Sequence, residues 1–361
     1  MGDVALNSTV NSTNSTSFLK GCFAIKCHFT MSERSAIIIS FGITFLASFF
    51  GNSMVCLLIT RTRRLRNCTN FSIFNLCIAD LMITLVCIPM LTIDFYIAEE
   101  WLFGPFMCKT VTFLQNTVIN ASILILMTIS VEKFVVVCFP FQSRYYRGWF
   151  PYIIAFMWLV AISDASYTTI FKKILVVAGH KKCILSYPGK LGDRQRYLIG
   201  HAVGFFFLPL TIMAVLHCIT IFVIQQKLSQ RSQTPTQGVQ VLRVNVRKLQ
   251  RKRKAVAILV LIILMFVISW GPYLSLAIWD AFFPPEPQGI VEYYTVLNKI
   301  FVLCLWLVFF NSACHPVIYC FLGREYRIAV KNSFARWSNS QSTRNKQQPA
   351  IPLRPYNYMR T

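Results

Sequence analysis

In this chain of 361 residues, the side chains able to act are the polar ones set in apolar surroundings. Asp80 lies within Asn75-Leu76-Cys77-Ile78-Ala79-Asp80-Leu81. An ionisable group inside a membrane-type run costs a few kcal/mol even on lenient scales, so Asp80 reads as functional, against the plainer reading of a neutral carboxyl held by helix hydrogen bonds. Gln115, Asn116, Asn120, Ser122 and Ser130 interrupt the apolar run Cys108 to Phe141, which ends near the charged pair Glu132-Lys133. Asn311, Ser312, His315 and Tyr319 do the same in the last apolar stretch. Amides and hydroxyls persist in lipid only where they face protein or a water-filled cavity. The chemistry these residues offer is binding and switching. An enzyme would need a catalytic set and a transporter an inverted repeat or several intramembrane carboxylates, and the sequence displays neither. It calls for no cofactor and no metal ligand set.

The elements that must position these groups are long and apolar. Hydrophobic residues make up 55% of the chain and charged residues 14%, too apolar a balance for an ordinary soluble domain. Seven stretches, 36–60, 70–93, 108–138, 149–171, 197–226, 254–283 and 292–321, each suit a spanning helix of about 20 residues or more. The net charge of +23 first suggests nucleic acid. With the N-terminus outside, however, 24 basic and 2 acidic residues face the cytoplasm, against 12 basic and 9 acidic outside. The excess is internal, as the positive-inside rule expects, and nucleic acid is not called for.

The start of the chain lacks the basic-then-apolar order of a cleaved leader, so the first apolar stretch is expected to serve as an uncleaved signal. Residues 1–35 form an extracellular tail with glycosylation sequons at Asn7, Asn11 and Asn14. Residues 36–322 make the spanning unit, 323–334 a short amphipathic helix with Tyr326 on its apolar face, and 335–361 a polar, disordered cytoplasmic tail. Of thirteen cysteines, only Cys22, Cys27, Cys108 and Cys183 are placed to meet the oxidising side, and four cysteines allow three pairings.

The order of features along the third stretch is a cysteine, Cys108, at its outer end, the amide Gln115 seven residues on, and an acidic-basic-aromatic triplet, Glu132-Lys133-Phe134, at its inner end. To this are added Asp80, Trp158, Pro209, Phe266 to Pro272 around Trp270, and Asn311 to Tyr319. The set resembles the rhodopsin-like, class A, G-protein-coupled receptors over Gly51 to Phe334. The resemblance implies an all-α membrane protein, a seven-transmembrane-helix bundle with a short amphipathic eighth helix. It selects a Cys108–Cys183 disulfide pinning the second outer loop to the third helix, which would leave Cys22–Cys27 to close a small loop. It implies heterotrimeric G proteins and arrestin as partners, the lipid bilayer as solvent, and a plasma-membrane location with the N-terminus outside. Trp270 resembles the family's movable switch beneath the pocket.

For ligand class, Gln115 is informative. Amine receptors carry an aspartate there, and opsins need a lysine within the seventh helix, where Lys299 lies too near the outer end. Glutamine resembles the peptide receptors of the neuropeptide Y, RFamide and orexin type. Lys173 to Val177 and Lys182 to Ser186 flank Ala178-Gly179-His180, a hairpin pattern that suits a lid. Asp94, Glu99, Glu100, Asp280, Glu286 and Glu292 gather towards the outer side. These suggest a short amidated peptide with at least one Arg or Lys, its end near Gln115 and Trp270 and its cation on the rim at Asp280, Glu286 and Glu292. A solvated rim balanced by the loop lysines is the other reading.

Three positions depart from the family. Lys133 stands for arginine, His217 for the tyrosine of the fifth helix, and His315 for the asparagine of N-P-x-x-Y, whose Tyr319 is kept. Lysine lacks the planar fork of arginine. Glu132, Lys133, His217 and Tyr319 therefore make a coupling set that is either weaker or altered, or the product of compensated drift within a working receptor, the preferred reading. Asp80, Ser122, Asn311 and Ser312 resemble the family's sodium pocket, where the imidazole of His315 would place its own positive charge in sodium's stead; a neutral ring bonded through water is the alternative. A decoy or scavenger of the same family, or a receptor for a non-peptide ligand, remains the second reading. The outer histidines, His28, His180 and His201, form no cluster in the sequence.

Overall fold

The computed structural model describes residues 29–98, 100–177, 180–185, 191–232, 239–283, 290–323, 325–333 and 335. The sequons at Asn7, Asn11 and Asn14, together with Cys22, Cys27, Glu99 and Glu286, lie outside these residues.

Among the described residues seven helices are long and apolar enough to span a bilayer, and they form one bundle. Helix α1 (Met31–Arg61) starts on a capping box in which Thr30 N donates to Glu33 Oε2 at 2.9 Å and Glu33 N to Thr30 Oγ1 at 3.2 Å. Helix α2 (Cys68–Met82) continues through a π turn (Ile83–Cys87), an α segment (Ile88–Thr92) and a second π turn (Ile93–Ile97). The third helix, α3 (Gly104–Cys138), begins at Gly104, whose φ of 73° suits a residue without Cβ. Helix α4 spans Ser143–Ile170. Helix α5 runs Leu191–Ala202, a π turn Val203–Phe207, then Leu208–Ser232. Helices α6 (Val239–Phe282) and α7 (Ile290–Leu322) complete the bundle.

The basic arms between α5 and α6 are helix extensions; residues 233–238 lie outside the described residues. The prolines of α2 and α5 act in a way the sequence did not specify. Each follows a π turn that contains the carbonyl four residues back, Leu85 for Pro89 and Phe205 for Pro209. A proline ring clashes with that carbonyl, and the wider turn removes the clash without ending the helix.

Helix α3 is the centre, packed against α2, α4 and α5. Its buried residues lie all round it, among them Val118, Ile125 and Ile129, which join Leu76, Met213 and Phe309 in a single core. The outward faces of the other helices expose Phe50, Phe156, Phe222 and Ile268, surface that water would penalise and lipid accepts. Trp158 Nε1 donates to Asn75 Oδ1 at 3.1 Å, giving that tryptophan a reason beyond packing: it ties α4 to α2. A Cβ on Gly51 would come within 2.9 Å of the Pro316 ring, so α1 approaches α7 only because this residue is glycine.

Strands β1 (Lys172–Val177) and β2 (His180–Leu185) pair antiparallel, the expected hairpin, with Val177 opposite His180. His180 thus belongs to the strand and not to the turn where the sequence pattern set it. Past α7, residues 325–333 are helical, and Tyr326 is buried with its hydroxyl donating to Asn70 Oδ1 at 3.1 Å.

Candidate ligand cavity and polar core

A cavity of about 310 Å³ opens in the outer half of the bundle. It is large enough for the end of a peptide or a small ligand. Gln115 and Asn116 of α3, Trp270 of α6 and Phe301 of α7 line it, with Lys172 and Cys183 of the hairpin at its mouth. Cys183 is disulfide-bonded to Cys108, as the resemblance implied, and Trp101 N donates to Lys181 O at 2.7 Å. The hairpin is therefore fastened over the cavity at two points.

Gln115 and Trp270 meet in this space; Asp280 does not join them. It is 1% exposed at the outer end of α6 and is not among the lining residues, so it does not stand on a solvated rim. Its carboxylate lies near the Tyr293 phenol. Glu292 is in the first turn of α7. The carboxylate that lines the cavity is Asp94, at the outer end of α2. It is 3% exposed, and its Oδ1 has no hydrogen-bond partner among the described residues. Burial pushes its carboxyl up to about 6 against the opposing pull of Lys182 and Lys172, and burial brings the Lys172 ammonium down to about 8. The mouth thus holds both signs of charge.

Sequence reasoning missed a second polar group beside the cavity. Asn120 Nδ2 donates to Asp164 Oδ2 at 2.7 Å, and His201 Nε2 lies 3.4 Å from the same oxygen. This joins α3, α4 and α5. The signal was available, since Asp164 is an ionisable residue in an apolar run just as Asp80 is.

Deeper in the bundle, His315 Nδ1 lies 2.8 Å from Asp80 Oδ2, and both residues are at most 2% exposed. Ser122, Asn311 and Ser312 are buried as well. Asn52 Nδ2 donates to Ser312 O at 3.1 Å, and Thr84 Oγ1 to Asp80 O at 2.6 Å. A hard cation wants oxygens, and here a ring nitrogen already occupies a carboxylate oxygen. Asn311 Oδ1, His315 Nε2 and Tyr319 Oη have no hydrogen-bond partner among the described residues, which leaves polar capacity between α2 and α7 for another arrangement of this core.

At the inner end, Glu132 Oε2 lies 3.1 Å from Lys133 Nζ and accepts from Thr69 Oγ1 at 2.7 Å, while Lys133 also donates to Thr69. Lys133 is thereby turned towards α2. His217 is 3% exposed and its Nε2 lies 3.1 Å from Ser130 Oγ, so it meets a hydroxyl of α3 instead of standing against Lys133. Tyr319 is buried and stacks on Tyr326 at 6.0 Å.

The sequence model of the seven-transmembrane receptors of the rhodopsin family matches residues 51–319. The substance-K receptor of Rattus norvegicus is 29% identical over 294 residues, covering 80% of this chain and 71% of that protein. The RYamide receptor of Tribolium castaneum is 25% identical over 333 residues, covering 88% and 86%. Neuropeptide FF receptor 2 of Rattus norvegicus is 26% identical over 314 residues, covering 83% and 72%. The family match runs from Gly51, packed on the proline of α7, to Tyr319, and so takes in the last part of α1, all of α2 to α6 and nearly all of α7; the chain is a multi-pass membrane protein, a receptor and not an enzyme, and it belongs to the rhodopsin family of seven-transmembrane receptors.

Proposed function

We propose that this chain is a plasma-membrane receptor for a short extracellular peptide, amidated and carrying at least one Arg or Lys, and that it signals to heterotrimeric G proteins when α6 moves outward. The observation that carries the reading is the cavity itself. Neutral amides from Gln115 and Asn116 stand where a peptide end would be read, an aromatic floor includes Trp270, and a hairpin is fixed across the mouth. The names of the three relatives, a substance-K, an RYamide and a neuropeptide FF receptor, point the same way. The N-terminus lies outside with its sequons used at Asn7, Asn11 and Asn14, and arrestin and anionic lipid meet the basic inner face.

The peptide's cation is received by Glu286 and Glu292. Asp280, being buried, serves that end structurally. Charge reversal at Glu286 and Glu292 together is expected to weaken a peptide ending in Arg-Tyr-amide on the order of tenfold, through lost electrostatic complementarity. The same peptide with citrulline for arginine should be little affected. Equal effects on both peptides remove the rim from the reading.

Coupling is tested by G-protein activation in cells exposed to a panel of amidated neuropeptides, on the native chain beside Lys133→Arg. The native chain is expected to respond, because Lys133 keeps its charge and its Glu132 partner. A response confined to the arginine variant would favour the second reading, a decoy that retains the cavity. That reading draws on the same three departures, Lys133, His217 and His315.

A further inference from the structure

A helix leaves its last carbonyls without intrahelical donors, and the partial negative charge they carry attracts cations. At the inner end of α3, Val135 O accepts from Phe139 N at 2.9 Å, which leaves the next two carbonyls to find partners elsewhere. They find them on other helices. Lys227 Nζ of α5 donates to Val137 O at 2.8 Å, and Lys252 Nζ of α6 donates to Val136 O at 3.2 Å. Beneath these bonds Val137, Ile224 and Val256, one from each of the three helices, are buried together.

The same place concentrates positive charge. Lys133, Arg147 and Lys227 all lie close enough to Lys252 to repel it. With Lys133 committed to Glu132 and Thr69, its side chain makes no ion pair to α6 among the described residues. The closed inner face is thus held by ammonium-to-carbonyl bonds and opposed by like charge, a balance that a modest input can tip.

We infer that Lys227 and Lys252 form a clamp on the C-terminal carbonyls of α3 that holds the cytoplasmic ends of α5 and α6 closed in the resting receptor. The inference rests on the proposed opening of α6. It adds the groups that set the resting population: α5 and α6 are each tied to α3 by one charge-assisted bond, and outward movement must break the bond from Lys252. The acidic-basic pair at Glu132 and Lys133 faces α2 and does not perform this task.

The test is a distance distribution on the purified full-length receptor in lipid nanodiscs, without peptide or G protein. Spin labels carried by unnatural amino acids replace the exposed residues Arg144 and Gln250. Lys227→Met with Lys252→Met is expected to move the population to longer distance, shifting the open-to-closed ratio on the order of tenfold per lysine, the scale of a charge-assisted hydrogen bond. Arginine at both positions keeps the donors and should keep the native distribution. Lys252→Gln alone carries the test if the double variant does not fold. A native distribution in the methionine or glutamine variants, or an arginine variant as open as the methionine one, overturns the clamp. Because no ligand takes part, a shift in distance stands even if every peptide in the panel is silent, and an unshifted distance in a receptor that peptides do activate removes the clamp alone.

Discussion

Alanine in place of His315 is expected to be among the most damaging single changes in the bundle. Among the described residues, His315 is the hydrogen-bond partner of the Asp80 carboxylate, at 2.8 Å, and the pair is at most 2% exposed. Removing one member of a buried polar pair strands the other without water, a loss of about 3–5 kcal/mol. In a thermal melt of the purified receptor this is a drop on the order of 10 °C. Removing both members should cost less than removing one, so Asp80→Asn with His315→Ala is expected to melt above His315→Ala alone. The reverse order would show that the ring packs against the core more than it pairs with Asp80. The same geometry predicts the response to sodium. Exchanging choline chloride for sodium chloride at equal ionic strength should leave the native melting temperature unchanged, while His315→Asn, which returns an oxygen beside the carboxylate, should be stabilised by sodium through mass action. A native receptor that sodium stabilises would end the idea that His315 takes the ion's place.

How much of this was legible in the sequence depended on the physical signal behind each feature. The seven spans were legible because lipid demands long apolar runs with their backbones satisfied internally. Placing Asp80 and His315 side by side followed from the resemblance, but the 2.8 Å contact did not, since a ring in that position can turn either nitrogen towards the carboxylate or away. The hairpin was legible from its flanking strands. Asp280 was misplaced because a charge near a span end reads as exposed, whereas helix phase puts its side chain inward. The π turns before Pro89 and Pro209 leave no mark in the residues themselves; only the prolines announce that some adjustment is needed. The lysine clamp was hidden for a further reason. Lys227 and Lys252 belong to a run of nine basic residues whose plain explanation is topology, and nothing in the sequence marks these two as turning towards α3.

Serine in place of Cys183 is expected to act on affinity more than on the spanning core. The disulfide joins α3 to β2 across 75 residues, and in the chain-entropy model closing a loop of that size contributes about 4 kcal/mol. That stabilisation is spent locally. Cys108 is buried at the outer end of α3, whereas the hairpin touches the bundle through the cavity mouth, with Trp101 N to Lys181 O as its other fastening. Without the bond, the hairpin hangs on that contact and on the packing of Ile174 and Cys183 against the core. An incoming peptide must then order the hairpin as it binds, and the ordering cost is subtracted from its affinity. About 3 kcal/mol transferred in this way is on the order of 100-fold in Kd. Binding of a panel peptide that activates the native receptor, measured on Cys183→Ser beside Cys108→Ser, is the check, with the melting temperature followed in parallel. Equal losses in the two variants, larger in affinity than in melting, place the effect in the shared bond. A variant that binds as the native chain does would mean that the hairpin stands over the cavity without the disulfide, and that the cavity is shaped by α3, α6 and α7 alone.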